Sequence, residues 1–220
     1  MDFSGPEAAD FANVRALNHA FLLRLREPRQ GQDLRQRLPR ATATLIEGLT
    51  NMQVERLASA PFLLLSLGES DEAGWCAPDA VQANLDLLGT VERRSDELLT
   101  TAVSFMWQLA GRNPYAARLV SGASIGWCER LAECTLLNAL RAATDHEGLI
   151  QPRFAASESF WRKLLGPGLS SIAAVRRAAH VTCLQCLLTD NPAVPQRRIR
   201  AAACEKSVPT LSVKEKPGRR

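Results

Sequence analysis

Two cysteines and a histidine near the end of the chain have side chains that could bind a metal ion. Cys183 and Cys186 have the CxxC spacing of many zinc sites, and His180 lies three residues earlier. The pair falls within an apolar helical run, 173–188, that has no second CxxC and no glycine-rich turn to aim two thiolates at one ion. Because free cysteine is common on buried helix faces, the sequence favours packing, and we expect no metal and no other cofactor.

Side chains that could catalyse a reaction are present but do not form a known motif. The histidines, His19, His146 and His180, lack a metalloenzyme spacing such as HExxH. The run SGASIG at 121–126 has no lysine after its glycines, as a phosphate loop requires, and a turn with a helix cap explains it better. The sequence therefore predicts a protein that is not an enzyme.

The segment 43–57, ATLIEGLTNMQVERL, has the clearest functional meaning in the chain. A short apolar helix is expected to end at Gly48, where glycine would accept the turn conformation. Thr50 is then expected to cap a second helix, in which Val54 and Leu57 face inward. This order of elements is the helix-turn-helix arrangement.

The second helix of this motif offers side chains that could contact DNA. Exposed in a major groove, Asn51, Gln53 and Arg56 can reach base edges or phosphates. Paired short helices joined through a glycine and a threonine also occur in proteins that do not bind DNA. The sequence leaves both interpretations open.

Helical periodicity dominates the rest of the chain, and the fold class expected is all-α. The first helix should begin near Pro6, with Ser4 and Glu7 as a capping box, and end near Pro28. Its apolar stripe is Phe11, Val14, Leu17, Phe21, Leu22 and Leu25. Extended segments are expected at 62–67 and 149–154, and further helices at 41–47, 51–60, 78–111, 115–121, 125–132, 136–143, about 158–164 and 170–188.

The two halves of the chain repeat the same order of elements at an offset of about 85 residues. We therefore expect two tandem helical units, 1–95 and 96–190, each with a helix-turn-helix-like pair, followed by a tail, 191–220. In the second copy Glu133 replaces the turn glycine, and the following helix offers Asn138 and Arg141. That copy is more typical of a structural element than of a DNA-reading one.

The positive charge of the chain is concentrated in the tail. Of a net charge of +4, residues 191–220 contribute +6 and the remaining chain −2. The tail is rich in proline and poor in large apolar side chains, so we expect it to be disordered. Arg197, Arg198 and Arg200 are its candidate phosphate contacts, although a merely solubilising terminus fits the composition equally well.

Composition also bears on the compartment. The apolar runs are far shorter than the roughly 20 residues that a membrane span requires. The first fifteen residues have no basic region followed by an apolar stretch, so we expect a cytoplasmic protein without a disulfide framework.

Two sets of residues match the pattern of a known protein family. In the second half they are Ser104-Phe105, Leu109-Ala110, 116–122, Ser124, Leu131, Thr135-Leu136 and Arg153-Phe154. In the first half they are Asn18, 21–23, Ala43-Thr44, Leu49-Thr50, Gln53 and Leu57-Ala58. By these residues about two thirds of the chain resembles the FlhD-type flagellar transcriptional activators and their relatives on mobile elements.

The resemblance implies a role in transcription. Members of that family are single short helical units that form intertwined dimers and join a zinc-binding partner, FlhC, to activate transcription. By this resemblance the chain looks like two such units fused, which would bind promoter DNA together with an FlhC-like partner. The alternative is a helical protein-interaction or assembly module without a nucleic-acid role.

Overall fold

The computed structural model of the chain describes residues 5–67, 96–145 and 149–189, and these residues are mostly helical. The all-α expectation is confirmed. The helices are α1 (Ala8–Arg26), α2 (Gln32–Gln36), α3 (Arg40–Glu47), α4 (Asn51–Ala58), α5 (Glu97–Arg112), α6 (Pro114–Ser121), α7 (Ile125–Glu133), α8 (Leu136–Asp145), α9 (Glu158–Leu165) and α10 (Ala173–Thr189), with a 3₁₀ turn at Pro167–Leu169 and strands β1 (Leu65–Leu67) and β2 (Ile150–Pro152). Within these ranges no helix is both long and apolar enough to cross a membrane.

Helix α1 buries one face along its whole length. Five members of the predicted stripe are buried, but Phe11 is 38% exposed. The capping interaction also differs from the expected one, because the backbone N–H of Glu7 donates to Asp10 Oδ2 at 2.8 Å. Ser4, the expected capping residue, lies outside the described residues.

Helix α2 was not expected, because its sequence is rich in arginine and glutamine. Its buried Arg35 explains why the helix forms. The guanidinium donates to the carbonyl oxygens of Glu27 and Pro28 at 2.8 and 2.9 Å, just beyond the C-terminal end of α1. It also pairs with Glu47 at 2.9 Å, so one side chain joins α1, α2 and α3.

The repeat seen in the sequence is present in the structure. The pairs α3 and α7, α4 and α8, and β1 and β2 each begin 85 residues apart. The last pair forms an antiparallel two-stranded sheet, with Leu65 opposite Pro152 and Leu67 opposite Ile150. The sheet therefore contains one strand from each half.

Helices α1 and α5 run antiparallel at the junction between the halves, and an ion pair closes each end. Asp10, near the start of α1, pairs with Arg112 at the end of α5. Asp96, the N-cap of α5, pairs with Arg24 near the end of α1. Each half thus supplies the acid of one pair and the base of the other, although the paired residues are not at equivalent positions of the 85-residue repeat.

The long helical pattern expected over 78–111 is not one continuous helix. Asp96 has an extended backbone and accepts a hydrogen bond from the N–H of Leu99, so α5 begins at Glu97. The earlier part of the pattern, and the loop before it, lie outside the described residues. At the other end, Asn113 caps α6 and Pro114 occupies its first turn, one residue before the start expected from the sequence.

The elements after β2 cross back onto the first half. Helix α9 packs on α3, and the 3₁₀ turn packs on α4. Phe160 of α9 contacts Phe62, with ring centroids 6.2 Å apart, and Phe154 at 4.6 Å. The helix-turn-helix pair of the first half is therefore covered on one side by the end of the second half.

Two buried polar side chains hold the segment that leads into β1. Asn18 donates to the carbonyl oxygen of Phe62 and accepts from the N–H of Leu64, both at 2.8 Å. Arg153 donates to the carbonyl oxygens of Leu63 and Val120 at 3.1 and 3.2 Å. These contacts satisfy backbone groups that would otherwise be buried without partners.

Candidate nucleic-acid interface

The motif predicted at 43–57 is present, with its helices at the expected places. Thr50 is the N-cap of α4: its Oγ1 accepts from the N–H of Gln53 at 3.3 Å, and its own N–H donates to Gln53 Oε1 at 2.9 Å. Val54 and Leu57 are fully buried, as expected. This reciprocal capping box fixes the start of the second helix.

The reason given for Gly48 is wrong. Its backbone has a φ of −82°, a value that any residue adopts. A Cβ placed there would meet its nearest atoms, backbone carbonyl oxygens of α3, at 3.7 and 3.8 Å, which is ordinary contact. The turn therefore does not need glycine, and this explains how Glu133 occupies the corresponding position in the second half.

Each of the three candidate reading residues has a contact inside the protein. Asn51 Oδ1 accepts from Arg26 Nη1 at 2.7 Å, and Gln53 is committed to the capping box described above. Arg56 Nη1 donates to the carbonyl oxygen of Leu169 in the 3₁₀ turn at 3.1 Å. Asn51 remains exposed, whereas Gln53 and Arg56 are half-buried.

The exposed face of α4 presents different chemistry from the one expected of a reading helix. Met52 is 65% exposed, and Glu55 is exposed beside it. Glu55 accepts from Arg15 at 2.9 Å, and this hydrogen bond, together with the nearby His19, lowers the pKa of the Glu55 carboxyl. Because Glu55 is paired with Arg15, the two side chains together present no net positive charge to a phosphate backbone.

The second copy of the motif repeats the cap and the exposed apolar residue. Thr135 Oγ1 accepts from the N–H of Asn138 at 3.2 Å, as Thr50 does from Gln53. Leu137, at the position that corresponds to Met52, is 56% exposed. Our sequence reasoning missed this correspondence, although an apolar residue directly after the first helical position in both copies was a visible signal.

A groove lies between the two halves, along the junction of α1 and α5. It has a volume of about 510 Å³ and lies beside Leu17, Leu98 and Phe105, with polar side chains at its edges. A smaller cleft of about 240 Å³ separates the α3–α4 turn from Leu165 and Leu169. Neither space is lined by basic side chains, so neither is suited to a phosphate group.

The cysteine and histidine cluster of α10 belongs mainly to the protein interior. Burial raises the pKa of the Cys183 thiol to about 11, and burial lowers the pKa of His180 to about 4, with Arg176 acting in the same direction. Cys186 Sγ lies 3.8 Å from Lys163 Nζ. In the part of the chain that the structure describes, no three metal-ligating side chains are grouped.

One cysteine contradicts the expectation that the chain would form no disulfides. Cys134, directly after α7, is disulfide-bonded, whereas Cys128, Cys183 and Cys186 carry reduced thiols. The expectation rested on the inferred compartment and not on geometry.

The tail residues Arg197, Arg198 and Arg200 lie outside the described residues.

Comparison with known proteins adds no relative. No family model, no curated protein and no solved structure matches the chain.

Proposed function

We propose that the chain is a subunit of a transcription regulator of the FlhD type, in which two family-like units within one chain replace a dimer and a partner protein reads most of the DNA sequence. The observation that carries this proposal is the reciprocal joining of the halves. Asp10 pairs with Arg112 and Asp96 with Arg24, while β1 and β2 form one sheet. A sheet with one strand from each half, at the 85-residue offset of the repeat, is the contact that two intertwined units would share.

The contacts of α4 support the proposal that the partner protein, and not α4, reads the DNA sequence. Gln53 and Arg56 are used within the protein, and Glu55 on the exposed face is paired with Arg15, so that pair adds no net positive charge for a phosphate. A zinc-binding FlhC-like protein is the partner that the resemblance implies. The basic tail would then add affinity that does not depend on DNA sequence.

The internal contacts of Gln53 and Arg56 also favour a second candidate function, a helical interaction module without a nucleic-acid role. Met52 and Leu137 are exposed at corresponding positions of the two halves, and exposed apolar side chains of this size are suited to protein contacts. The two functions differ in whether the chain is found at promoters.

Chromatin immunoprecipitation of the tagged full chain in its native host separates them. We expect discrete enrichment at promoter regions, and we expect it to persist in Asn51→Ala and Gln53→Ala variants. Loss of enrichment in both variants would contradict the proposal that the partner reads the DNA sequence, because it would make α4 the reading helix. A flat profile from a normally expressed chain would contradict the regulator function and support the interaction module.

Binding in solution tests the contribution of the tail. Fluorescence anisotropy with duplexes of unrelated sequence should show binding by the full chain that weakens steeply as the salt concentration rises. A chain that ends at residue 190 should lose most of that binding. Equal binding by both forms would mean that the helical body contacts DNA without the tail.

A further inference from the structure

Two thiols and an ammonium group lie together where α10 packs on α9. Cys183 and Cys186 of α10 carry reduced thiols, and Lys163 Nζ of α9 donates to Cys186 Sγ at 3.8 Å. We call these three residues the thiol cluster. The regulator function proposed above does not use them.

The two thiols of the cluster differ in their exposure to solvent. Cys183 is fully buried, whereas Cys186 is half-buried. Burial raises the pKa of the Cys183 thiol to about 11; the neighbouring Cys186 acts in the same direction and Lys163 opposes it. Cys183 therefore stays protonated at neutral pH, and Cys186 is the sulfur that a small solute reaches first.

Cys186 has the surroundings of a reactive cysteine. Reactive cysteines are partly exposed and lie beside a cation, since the thiolate is the nucleophilic form. Cys186 meets both conditions, because solvent reaches it and the Lys163 ammonium lies at its sulfur. Cys128 of α7 is fully buried and serves as an internal control.

The spacing of the two cysteines allows a disulfide only with a local change in the helix. Side chains three positions apart lie on one side of a helix, with Cβ atoms about 5 to 6 Å apart. A disulfide requires Cβ atoms about 3.5 to 4.5 Å apart. Because α10 ends at Thr189, three residues after Cys186, its last turn can take up this difference.

We propose that the thiol cluster is an oxidation site, at which a peroxide converts Cys183 and Cys186 into a reversible disulfide. The Cys186 sulfur attacks one oxygen of hydrogen peroxide, and the O–O bond breaks. The departing hydroxide takes up the proton of the Cys186 thiol to form water, and Cys186 becomes a sulfenic acid.

The second step forms the bridge. The Cys183 sulfur attacks the Cys186 sulfur and displaces its hydroxyl group, which leaves as water with the Cys183 proton. The two sulfurs together lose two electrons, and the peroxide gains them.

Lys163 supports the first step. Its ammonium is held at the reacting sulfur and stabilises the negative charge of the departing hydroxide. Because Lys163 is exposed, water screens this effect, and replacing the lysine should slow oxidation by only about two- to fivefold.

The geometry of the helix makes the oxidation reversible. Closing the bridge draws Cys183 from its buried position and distorts the last turn of α10. A strained disulfide is readily reduced, so thiols such as glutathione should restore the cluster.

Mass spectrometry of the full chain after brief treatment with hydrogen peroxide tests the site. Trypsin places Cys183 and Cys186 on one peptide, 178–197, and Cys128 alone on another, 119–130. After denaturation and alkylation, peptide 178–197 should be unalkylated and two hydrogen atoms lighter than its dithiol form, and dithiothreitol should reverse this change. Peptide 119–130 should be fully alkylated.

Variants of the two cysteines separate the steps. Cys183→Ala should leave Cys186 as a sulfenic acid, which dimedone traps, because the resolving thiol is missing. Cys186→Ser should leave the buried Cys183 unoxidised. Circular dichroism should confirm that both variants fold.

Variants of the lysine test its part in the first step. Lys163→Gln should slow formation of the bridge, and Lys163→Arg should restore most of the natural rate. Arg162→Gln removes a neighbouring exposed cation of α9 and should leave the rate unchanged.

The results that would overturn the proposal are equally specific. They are a peptide 178–197 that keeps both thiols under peroxide, a bridge from either cysteine to a different one, and oxidation of Cys128 as fast as that of Cys186. An equal slowing by Arg162→Gln and Lys163→Gln would contradict the part assigned to Lys163. Chromatin immunoprecipitation does not depend on this chemistry, so failure here leaves the regulator function to its own test.

Discussion

Arg56 and Leu169 are 113 positions apart in the sequence, yet the guanidinium of the first donates to the carbonyl oxygen of the second at 3.1 Å. This hydrogen bond joins α4 of the first half to the 3₁₀ turn of the second half. The side chain best suited by type to contact DNA is thus part of the junction between the halves.

Replacing Arg56 should therefore affect stability. In Arg56→Ala, Leu169 loses a charged donor in a half-buried position, and we expect the free energy of unfolding to fall by about 1 kcal/mol. Urea denaturation measures this change. Arg40→Ala, at an exposed position of α3, should change stability by less than about 0.5 kcal/mol; an equal loss in both variants would mean that the Arg56 contact contributes nothing specific.

Gly122 and Gly48, which are the C-caps of α6 and α3, should respond differently to replacement by alanine. Gly122 has a φ of +66°, and a Cβ there would lie 2.0 Å from Arg153 Nη2. Gly122→Ala should therefore cost about 2 kcal/mol or more, since it combines a left-handed backbone with displacement of a buried guanidinium.

Gly48→Ala is the matched control for that change. With a φ of −82° and no close neighbour, it should be neutral within about 0.5 kcal/mol, or slightly stabilising. Thermal or urea unfolding of the two variants gives the comparison. A large loss for Gly48→Ala would restore the idea that the turn requires glycine.

Asn18 should be the most sensitive polar residue of α1. Asn18→Leu removes the donor to Phe62 and the acceptor for Leu64, and leaves both backbone groups buried and unsatisfied. We expect a loss of about 2 to 4 kcal/mol in the free energy of unfolding. Asn13→Ala, at an exposed position of the same helix, should lose less than about 0.5 kcal/mol, and similar losses in both would contradict the role of the network.

His180 should make stability depend on pH. Its pKa is lowered from 6.5 to about 4, mainly by burial, so the unfolded chain takes up a proton at a higher pH than the folded chain does. The contribution of His180 is fully present above pH 6.5, falls as the pH decreases toward 4, and is then constant. We expect a total loss of about 2 to 3 kcal/mol.

Comparison with His180→Leu isolates this contribution. Carboxylates such as Glu55 also respond to acid, but their effect is common to both proteins. As the pH falls from 7 to 4, the unfolding free energy of the natural chain should therefore decrease by more than that of the variant. A difference that is constant over that range would show that His180 is equally easy to protonate in the folded and unfolded states.

The elements with strong local signals were predicted from the sequence. The pair α3 and α4, the Thr50 cap and helix α6 depend on neighbouring residues and lie where expected to within one residue, and the two extended segments form the shorter strands β1 and β2. Helix α2 was missed because its formation depends on Arg35 reaching backbone carbonyl groups beyond α1. Such a contact has no local signature.

The candidate reading residues show the same limit. Asn51, Gln53 and Arg56 have side chains and a spacing suited to DNA contacts. The spacing of residues within one helix does not reveal which other elements pack against that helix. Arg56 meets Leu169 only because α9 and the 3₁₀ turn cross back onto the first half.

The sequence by itself determined that the chain is helical, that its two halves repeat at about 85 residues, and that its positive charge is concentrated after residue 190. These properties follow from periodicity and composition, which are local or additive. Tertiary structure decided how the halves join, through the reciprocal pairs of Asp10 with Arg112 and Asp96 with Arg24, and which side chains remain exposed. Those outcomes depend on contacts between residues far apart in the chain, and residue order alone does not specify which distant side chains meet.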